Sequence, residues 1–238
     1  MRQEGRMKIL LALILTVLMC GVVHADFDDW TMEDIGDDGD VGSTEEEGGV
    51  WTIEAGGHDI WDTADDFRFV YQEVSGDFEI SFEALSLVRT NDWAKVGPMA
   101  RQSNAAGSQY LFMLARAADG NKYFQERMAT NSSATGNGGT LEDAGGFPVW
   151  LMLTRDGNNF TSSWSSDGDS WNTLGTTTLA MTDPILVGMA VTSHTTGVIT
   201  TAEIDNLEAT FSNIAVEPDE KLSITWAEIK THRYKPDR

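Results

Sequence analysis

The chain has 238 residues, with one Cys, eight Trp and 23 Gly, and its length fits one sizeable domain, since single β-sandwiches run to about 200–250 residues. Sixteen basic against 38 acidic residues give a net charge of −22, a field that repels phosphate backbones and anionic lipid and so argues against a nucleic-acid or membrane-surface binder. Five Pro and scattered apolar residues argue against collagen, coiled coil or wholesale disorder.

Residues 1–25 read as a signal peptide. Arg2, Arg6 and Lys8 form a basic start, Ile9 to Met19 is apolar apart from Thr16, and Val23-His24-Ala25 offers a cleavage site. The run is short for a membrane span; an uncleaved anchor is the rival reading. Cys20 follows Met19 rather than a small residue, so it reads as part of the signal and not as a lipid-bearing cysteine. The exported chain then holds no Cys, which excludes disulfides, a thiol nucleophile and thiolate metal ligands. The expected location is secreted, periplasmic or cell-surface, with no membrane insertion after cleavage.

Residues 26–49 are acidic and Gly-rich and join the domain that follows. From Val50 the pattern turns to β. Strands are expected at Val50–Ile53, Phe67–Val74 and across Phe78, Ile80 and Phe82, which alternate with polar neighbours. Further strands follow at Lys95–Arg101, Gln109–Ala115, Tyr123–Met128, Trp150–Arg155, Asn159–Ser165, Trp171–Thr178, Ile185–Thr192 and Thr200–Phe211. Asp119-Gly120-Asn121, Asp156-Gly157-Asn158 and Asp167-Gly168-Asp169 favour positive-φ hairpin turns. Asn131 to Gly146 reads as a long loop. Many short strands without intervening helices predict an all-β antiparallel sandwich or barrel over residues 50–214. Residues 215–238 form a tail rich in Lys and Arg, which as a solvated terminus can fold back on the acidic domain.

The segments GVWTIEAGGHDIWDTADDFRFVYQEVSGDFEI (49–80), NDWAKVGPMARQS (91–103), WLMLTRDGNNFTSSWSSDGDSW (150–171) and ILVGMAVTSH (185–194) resemble the laminin-G-like module of the concanavalin A-like lectin/glucanase superfamily, which is related to the regulation-of-enolase domains. The resemblance covers residues 26–212. It implies an antiparallel jelly-roll β-sandwich of two curved sheets, and a module type that accompanies secreted polysaccharide-degrading enzymes and surface proteins.

Three constellations are candidates for function. Lys95 and Arg101 alternate with Val96, Pro98 and Ala100, the natural core face, so they belong on the sheet's outer surface. Gln125 and Arg127 alternate in the same way. If these strands are neighbours, the four side chains form a polar patch on the concave side, rimmed by Trp61, Trp93 and His194. Sugar recognition needs such polar groups and an aromatic plate. The competing reading pairs the basic residues with acids on adjacent strands.

Glu203-Ile204-Asp205-Asn206-Leu207-Glu208 resembles the active-site strand of laminarinase-type glycoside hydrolases, with Glu203 as nucleophile and Glu208 as acid/base. A bulge near Asp205-Asn206 would bring the three acids to one face. The motif lies on the last strand of the module, and Asn206 occupies a position that is apolar in those enzymes. The expectation is therefore no enzymatic activity. Asp26, Asp28 and Asp29 could meet Asp205 around a structural Ca²⁺, as in sandwiches of this superfamily; the alternative is a set of solvated acids. The sequence thus predicts an exported, non-catalytic module that binds a glycan or cell-surface polysaccharide through the concave face. The alternatives are a structural or adhesion protein acting on a protein partner, and a glycoside hydrolase.

Overall fold

The computed structural model describes residues 27–36, 40–138 and 145–214; the expected signal peptide (1–25) and basic tail (215–238) lie outside them. Among the described residues, a 3-10 turn at Phe27–Asp29 precedes strands β1 (Thr31–Ile35), β2 (Ser43–Glu47), β3 (Val50–Ala55), β4 (Ile60–Trp61), β5 (Ala64–Asp65), β6 (Phe67–Leu87), β7 (Lys95–Arg101) and β8 (Tyr110–Arg116). Then come β9 (Lys122–Arg127), β10 (Thr135–Gly138), β11 (Val149–Asp156), β12 (Asn159–Ser165), β13 (Asn172–Thr178), β14 (Ile185–Thr192) and β15 (Thr200–Ile214). The pairings are antiparallel, and the architecture is the expected all-β sandwich.

One strand belongs to both layers. The sequence suggested two strands between Phe67 and Phe82; the structure has a single 21-residue β6. Its first part pairs with β1 and β14, and its later part with β11 and β15. The partners change around Gly76, whose φ of +83° suits glycine. Arg155 and Asp183 fasten this corner: Gly76 N donates to Asp183 Oδ2 at 2.9 Å, and Arg155 donates to Gly76 O at 3.2 Å and to Asp183 Oδ1 at 2.5 Å. One layer therefore runs β10-β9-β8-β7-β14-β6-β1 and the other β13-β12-β11-β6-β15-β3-β2.

The main core lies between the layers. Val96, Ala100, Leu111, Met113, Val187, Met189 and Val191 of one sheet join Phe78, Ile80, Phe82, Leu151, Leu153, Phe160 and Ile204 of the other. Val96 and Ala100 are thus on the core face, as the alternation in β7 predicted. The opposite face of β7 is not wet, however. Phe67, Phe69, Tyr71, Met99, Tyr110, Phe112 and Leu114 form a second buried cluster with Ile60 and Ala134. The β4–β5 hairpin contributes Ile60, and Asp65 N donates to Ala106 O at 3.0 Å, tying that hairpin to the loop after β7. Every residue of β7 is consequently buried.

The acidic segment before Val50 supplies two strands that the pattern did not reveal. β2 reads Ser-Thr-Glu-Glu-Glu and is mostly exposed. It pairs with β3 at the sheet edge through the backbone ladder and a bond from Ser43 Oγ to Glu54 Oε2 at 2.8 Å, with no hydrophobic alternation to read. β10 likewise falls inside the expected long loop and pairs with β9. The three Asp-Gly turns hold positive φ at Gly120 (+66°), Gly157 (+58°) and Gly168 (+79°), as expected.

Candidate functional site

A cavity of about 310 Å³ opens beside the second cluster and is lined by Asp59, Trp61, Trp93, Lys95, Gln125 and His194. They come from four places in the chain. Asp59 and Trp61 flank Ile60 at the start of the β4–β5 hairpin, Trp93 and Lys95 bracket the start of β7, Gln125 is mid-β9, and His194 follows β14.

Backbone hydrogen bonds bring the loops together. Gly57 has φ +106°, and a Cβ there would lie 2.1 Å from Asp66 O, so only glycine fits. Its carbonyl accepts from Thr195 N (3.2 Å), Thr192 Oγ1 (3.2 Å) and Ser193 Oγ (3.0 Å). Ser193 N also donates to Gly56 O at 3.3 Å. These bonds lay the 193–195 loop over the Gly-Gly-His-Asp segment, and His194 adopts φ +56°, a conformation uncommon for a residue with a Cβ. The loop after β6 is tied in by Thr90 Oγ1, which donates to Ser193 O at 2.7 Å. Trp93 N in turn donates to Asn91 Oδ1 at 2.9 Å.

Asp59 is the electrostatic centre. Its Oδ1 accepts from Lys95 Nζ and from Ile60 N (2.7 Å), and its Oδ2 pairs with His194 Nε2 at 3.0 Å. Burial acts to raise the Asp59 pKa. The hydrogen bonds from His194 and Lys95, with the Lys95 charge, outweigh it and hold the carboxyl below its ordinary value. Lys95 is buried, donates also to Ile60 O at 3.1 Å, and has its pKa pushed down by that burial against the opposing pull of Asp59.

The walls are aromatic. Lys95 Nζ lies 6.0 Å from the Trp61 ring centre and 5.9 Å from that of Trp93. Arg116 stacks on Trp93 at 4.7 Å, within cation–π range, and is fixed by Asp119 through bonds of 2.9 and 2.6 Å. Tyr123 packs against Trp93 at 5.0 Å. Gln125 is only 4% exposed, and its Oε1 has no hydrogen-bond partner among the described residues. A buried acceptor left unpaired is costly, so this oxygen is a ready point for a ligand donor.

Five of the seven side chains expected to bind ligand therefore line one cavity: Lys95, Gln125, Trp61, Trp93 and His194. Arg101 and Arg127 do not line it. Both are 0% exposed and clamp Asp65, Arg101 Nη1 reaching Oδ2 at 2.6 Å while Arg127 reaches Oδ2 and Oδ1 at 2.6 Å each. Their other donors hold backbone carbonyls of Trp61, Asp62, Ser103, Ala105, Ala106, Ser108 and Ser132. The two arginines are the posts on which the loops beside the cavity rest. The alternation of β7 and β9 as half-wet strands points both to the surface, whereas the hairpin covering them packs from elsewhere in the chain. Asp59 was missed among the many acids; a Lys on a buried strand, which needs a carboxylate partner, was the one available signal.

The other candidate residues lie elsewhere. The bulge on β15 is present: Asn206 has φ +53°, and the register shifts between Asp205 and Glu208. Ala202, Ile204 and Ala209 face the core, leaving Glu203 and Glu208 exposed and Asp205 half-buried. Glu203 accepts from Ser86 Oγ at 2.9 Å, Asp205 Oδ1 from Asn206 N at 2.6 Å, and Asn206 donates to Glu83 at 3.1 Å. No residue of β15 lines the cavity. The expected calcium ligands lie partly outside the described residues. Among the described residues no group of three or more His, Cys, Asp or Glu side chains can hold a metal, so Asp28, Asp29 and Asp205 form no such site, and Asp26 lies outside those residues.

Comparison with solved structures places this architecture among known ones. A functionally unknown protein from Saccharomyces cerevisiae matches with a TM-score of 0.62 and 18% identity, over 79% of this chain and all of its own. The GH43 BlXynB protein from Bacillus licheniformis matches with a TM-score of 0.56 and 17% identity, over 78% of this chain and 38% of that one. The exoplasmic/lumenal domain of VIP36, in its Ca²⁺/Man3GlcNAc-bound form, is more distant, with a TM-score of 0.49 and 10% identity over 82% of this chain and 88% of its own. Such likenesses concern the fold alone. No protein-family model matches the chain, and no curated protein matches it in sequence.

Proposed function

We propose that this chain is an exported, non-catalytic carbohydrate-binding module and that the sugar enters the cavity between Trp61 and Trp93. The observation that carries this reading is the unpaired, buried Oε1 of Gln125 in a cavity walled by two indoles. Indole surfaces suit the C–H faces of a pyranose, and a few fixed polar groups orient its hydroxyls. A preformed ion-paired floor of Asp59, Lys95 and His194 keeps the walls apart without needing to rearrange. Glu203, Asp205 and Glu208 play no chemical role in this reading; Glu203 is engaged by Ser86. The partner is a glycan or cell-surface polysaccharide met outside the cytoplasm, a location that rests on the export signal over 1–25.

A glycan array spanning plant, algal and microbial polysaccharides tests the proposal, with calorimetry on the hits. Trp61→Ala and Trp93→Ala are each expected to weaken binding at least about tenfold, or about 1.4 kcal/mol. Silence across the array by folded protein would instead favour a role through protein contacts. Release of reducing ends from β-glucans, lost in Glu203→Gln, would overturn the non-catalytic assignment.

A further inference from the structure

Resting on the carbohydrate reading, we infer that the cavity takes a single neutral sugar ring and discriminates against both uronic acids and amino sugars. The argument is one of available hydrogen-bonding capacity and charge.

The cavity's carboxylate is committed. Asp59 receives Lys95 and Ile60 N on one oxygen and pairs with His194 on the other. An ammonium or protonated amine on a ligand would therefore have to compete with Lys95 for that carboxylate, in a cavity where Lys95 already supplies positive charge.

The cavity's lysine is also committed. Lys95 uses two of its three N–H donors on Asp59 and on Ile60 O, which leaves one. Arg116 lies over Trp93 but is held by Asp119. A ligand carboxylate would share Lys95 with Asp59, placing two like charges on one ammonium, inside a chain of net charge −22. Taking a charged group from water into such a place is costly without a dedicated partner.

Gln125 Oε1 offers an unpaired acceptor among the described residues, and Lys95 keeps a third N–H beyond its bonds to Asp59 and Ile60 O. A hydroxyl both donates and accepts, so adjacent ring hydroxyls match this pair. A volume of about 310 Å³ stands at the small end of ligand pockets, about 300–1,000 Å³, and suits one ring rather than a long chain segment.

The test is calorimetric titration of the full exported protein with the methyl glycosides of xylose, glucose, galactose and mannose, alongside methyl glucuronide and glucosamine, at low and high salt. At least one neutral glycoside is expected to bind with little salt dependence, and the uronide and amine at least about tenfold more weakly than the best neutral ligand. Gln125→Met, which removes the acceptor and little volume, is expected to cost about tenfold in that affinity while leaving the melting temperature unchanged or raised. Equal or tighter binding of the uronide or amine overturns the charge discrimination and leaves the carbohydrate reading intact. Full affinity in Gln125→Met overturns the role of the acceptor. Failure of all six glycosides, with silence on the glycan array, overturns both the inference and the reading beneath it.

Discussion

His194 Nε2 meets Asp59 Oδ2 at 3.0 Å from a backbone held at φ +56°, so the loop after β14 is bent into an uncommon conformation at the point where it completes the cavity floor. Such a conformation costs on the order of 1–3 kcal/mol and persists because its surroundings fix it. Here the surroundings are the hydrogen bonds from Thr192, Ser193 and Thr195 to Gly57 O. Asn tolerates this backbone region better than most residues. His194→Asn is therefore expected to keep the melting temperature close to that of the wild type. Loss of the Asp59 contact should lower ligand affinity about fivefold, the equivalent of about 1 kcal/mol for one hydrogen bond. Thermal melts and calorimetry on the same preparation check both halves.

The contribution of Asp59 to stability should depend on pH with a definite sign. Its pKa in the folded chain lies below the ordinary value of 3.8, because the contacts from His194 and Lys95 outweigh burial. A lowered carboxyl pKa gives stability that is present in full above the unfolded value and is lost as pH falls through the folded one. The stability gap between the wild type and Asp59→Asn should stay constant at neutral and mildly acid pH. It should begin to close near 3.8 and go on closing below it. Urea titrations across an acid pH series measure this gap.

Removing the buried carboxylate between Arg101 and Arg127 should be severe. Asp65→Asn leaves two fully buried guanidinium groups without their counter-ion, and breaking such a cluster costs about 3–5 kcal/mol. The exposed pair Arg89–Asp92, with side chains 58% and 60% accessible, provides the contrast. Arg89→Ala is expected to cost under about 1 kcal/mol. Chemical denaturation of both variants compares the two environments directly.

Gln72 offers a stabilising substitution. Both polar atoms of its buried amide lack a hydrogen-bond partner among the described residues, and its neighbour across the register is the core residue Val187. Met is of similar length and carries no strong donor or acceptor. Gln72→Met is expected to raise stability by about 1 kcal/mol or more, read as an increase in the urea midpoint at unchanged slope.

The sequence alone determined the layered β architecture. Hydrophobic alternation and Asp-Gly turns are local, so β7, β12 and β14 could be read with their observed ends, and the core side of β7 followed from Val96 and Ala100. It also brought five of the cavity's residues to notice through their chemistry: two Trp outside clear strands, a scarce His, and polar side chains at regular places on β7 and β9. Tertiary structure decided the rest. Whether Lys95 and Arg101 meet water depends on a hairpin at residues 60–65 that folds over them, and nothing within β7 encodes that cover. Both residues alternate identically in sequence, yet one ends at the cavity floor and the other in a buried ion cluster with Asp65. The choice of Asp59 as the partner of Lys95 was equally illegible, because 38 acidic residues could each have filled that role. The hydrogen bonds that pin the 193–195 loop to Gly56 and Gly57 bring His194 to Asp59, and those bonds run from backbone N–H groups and the Thr192 and Ser193 hydroxyls to carbonyls distant in the chain, which leave no periodic trace in the sequence.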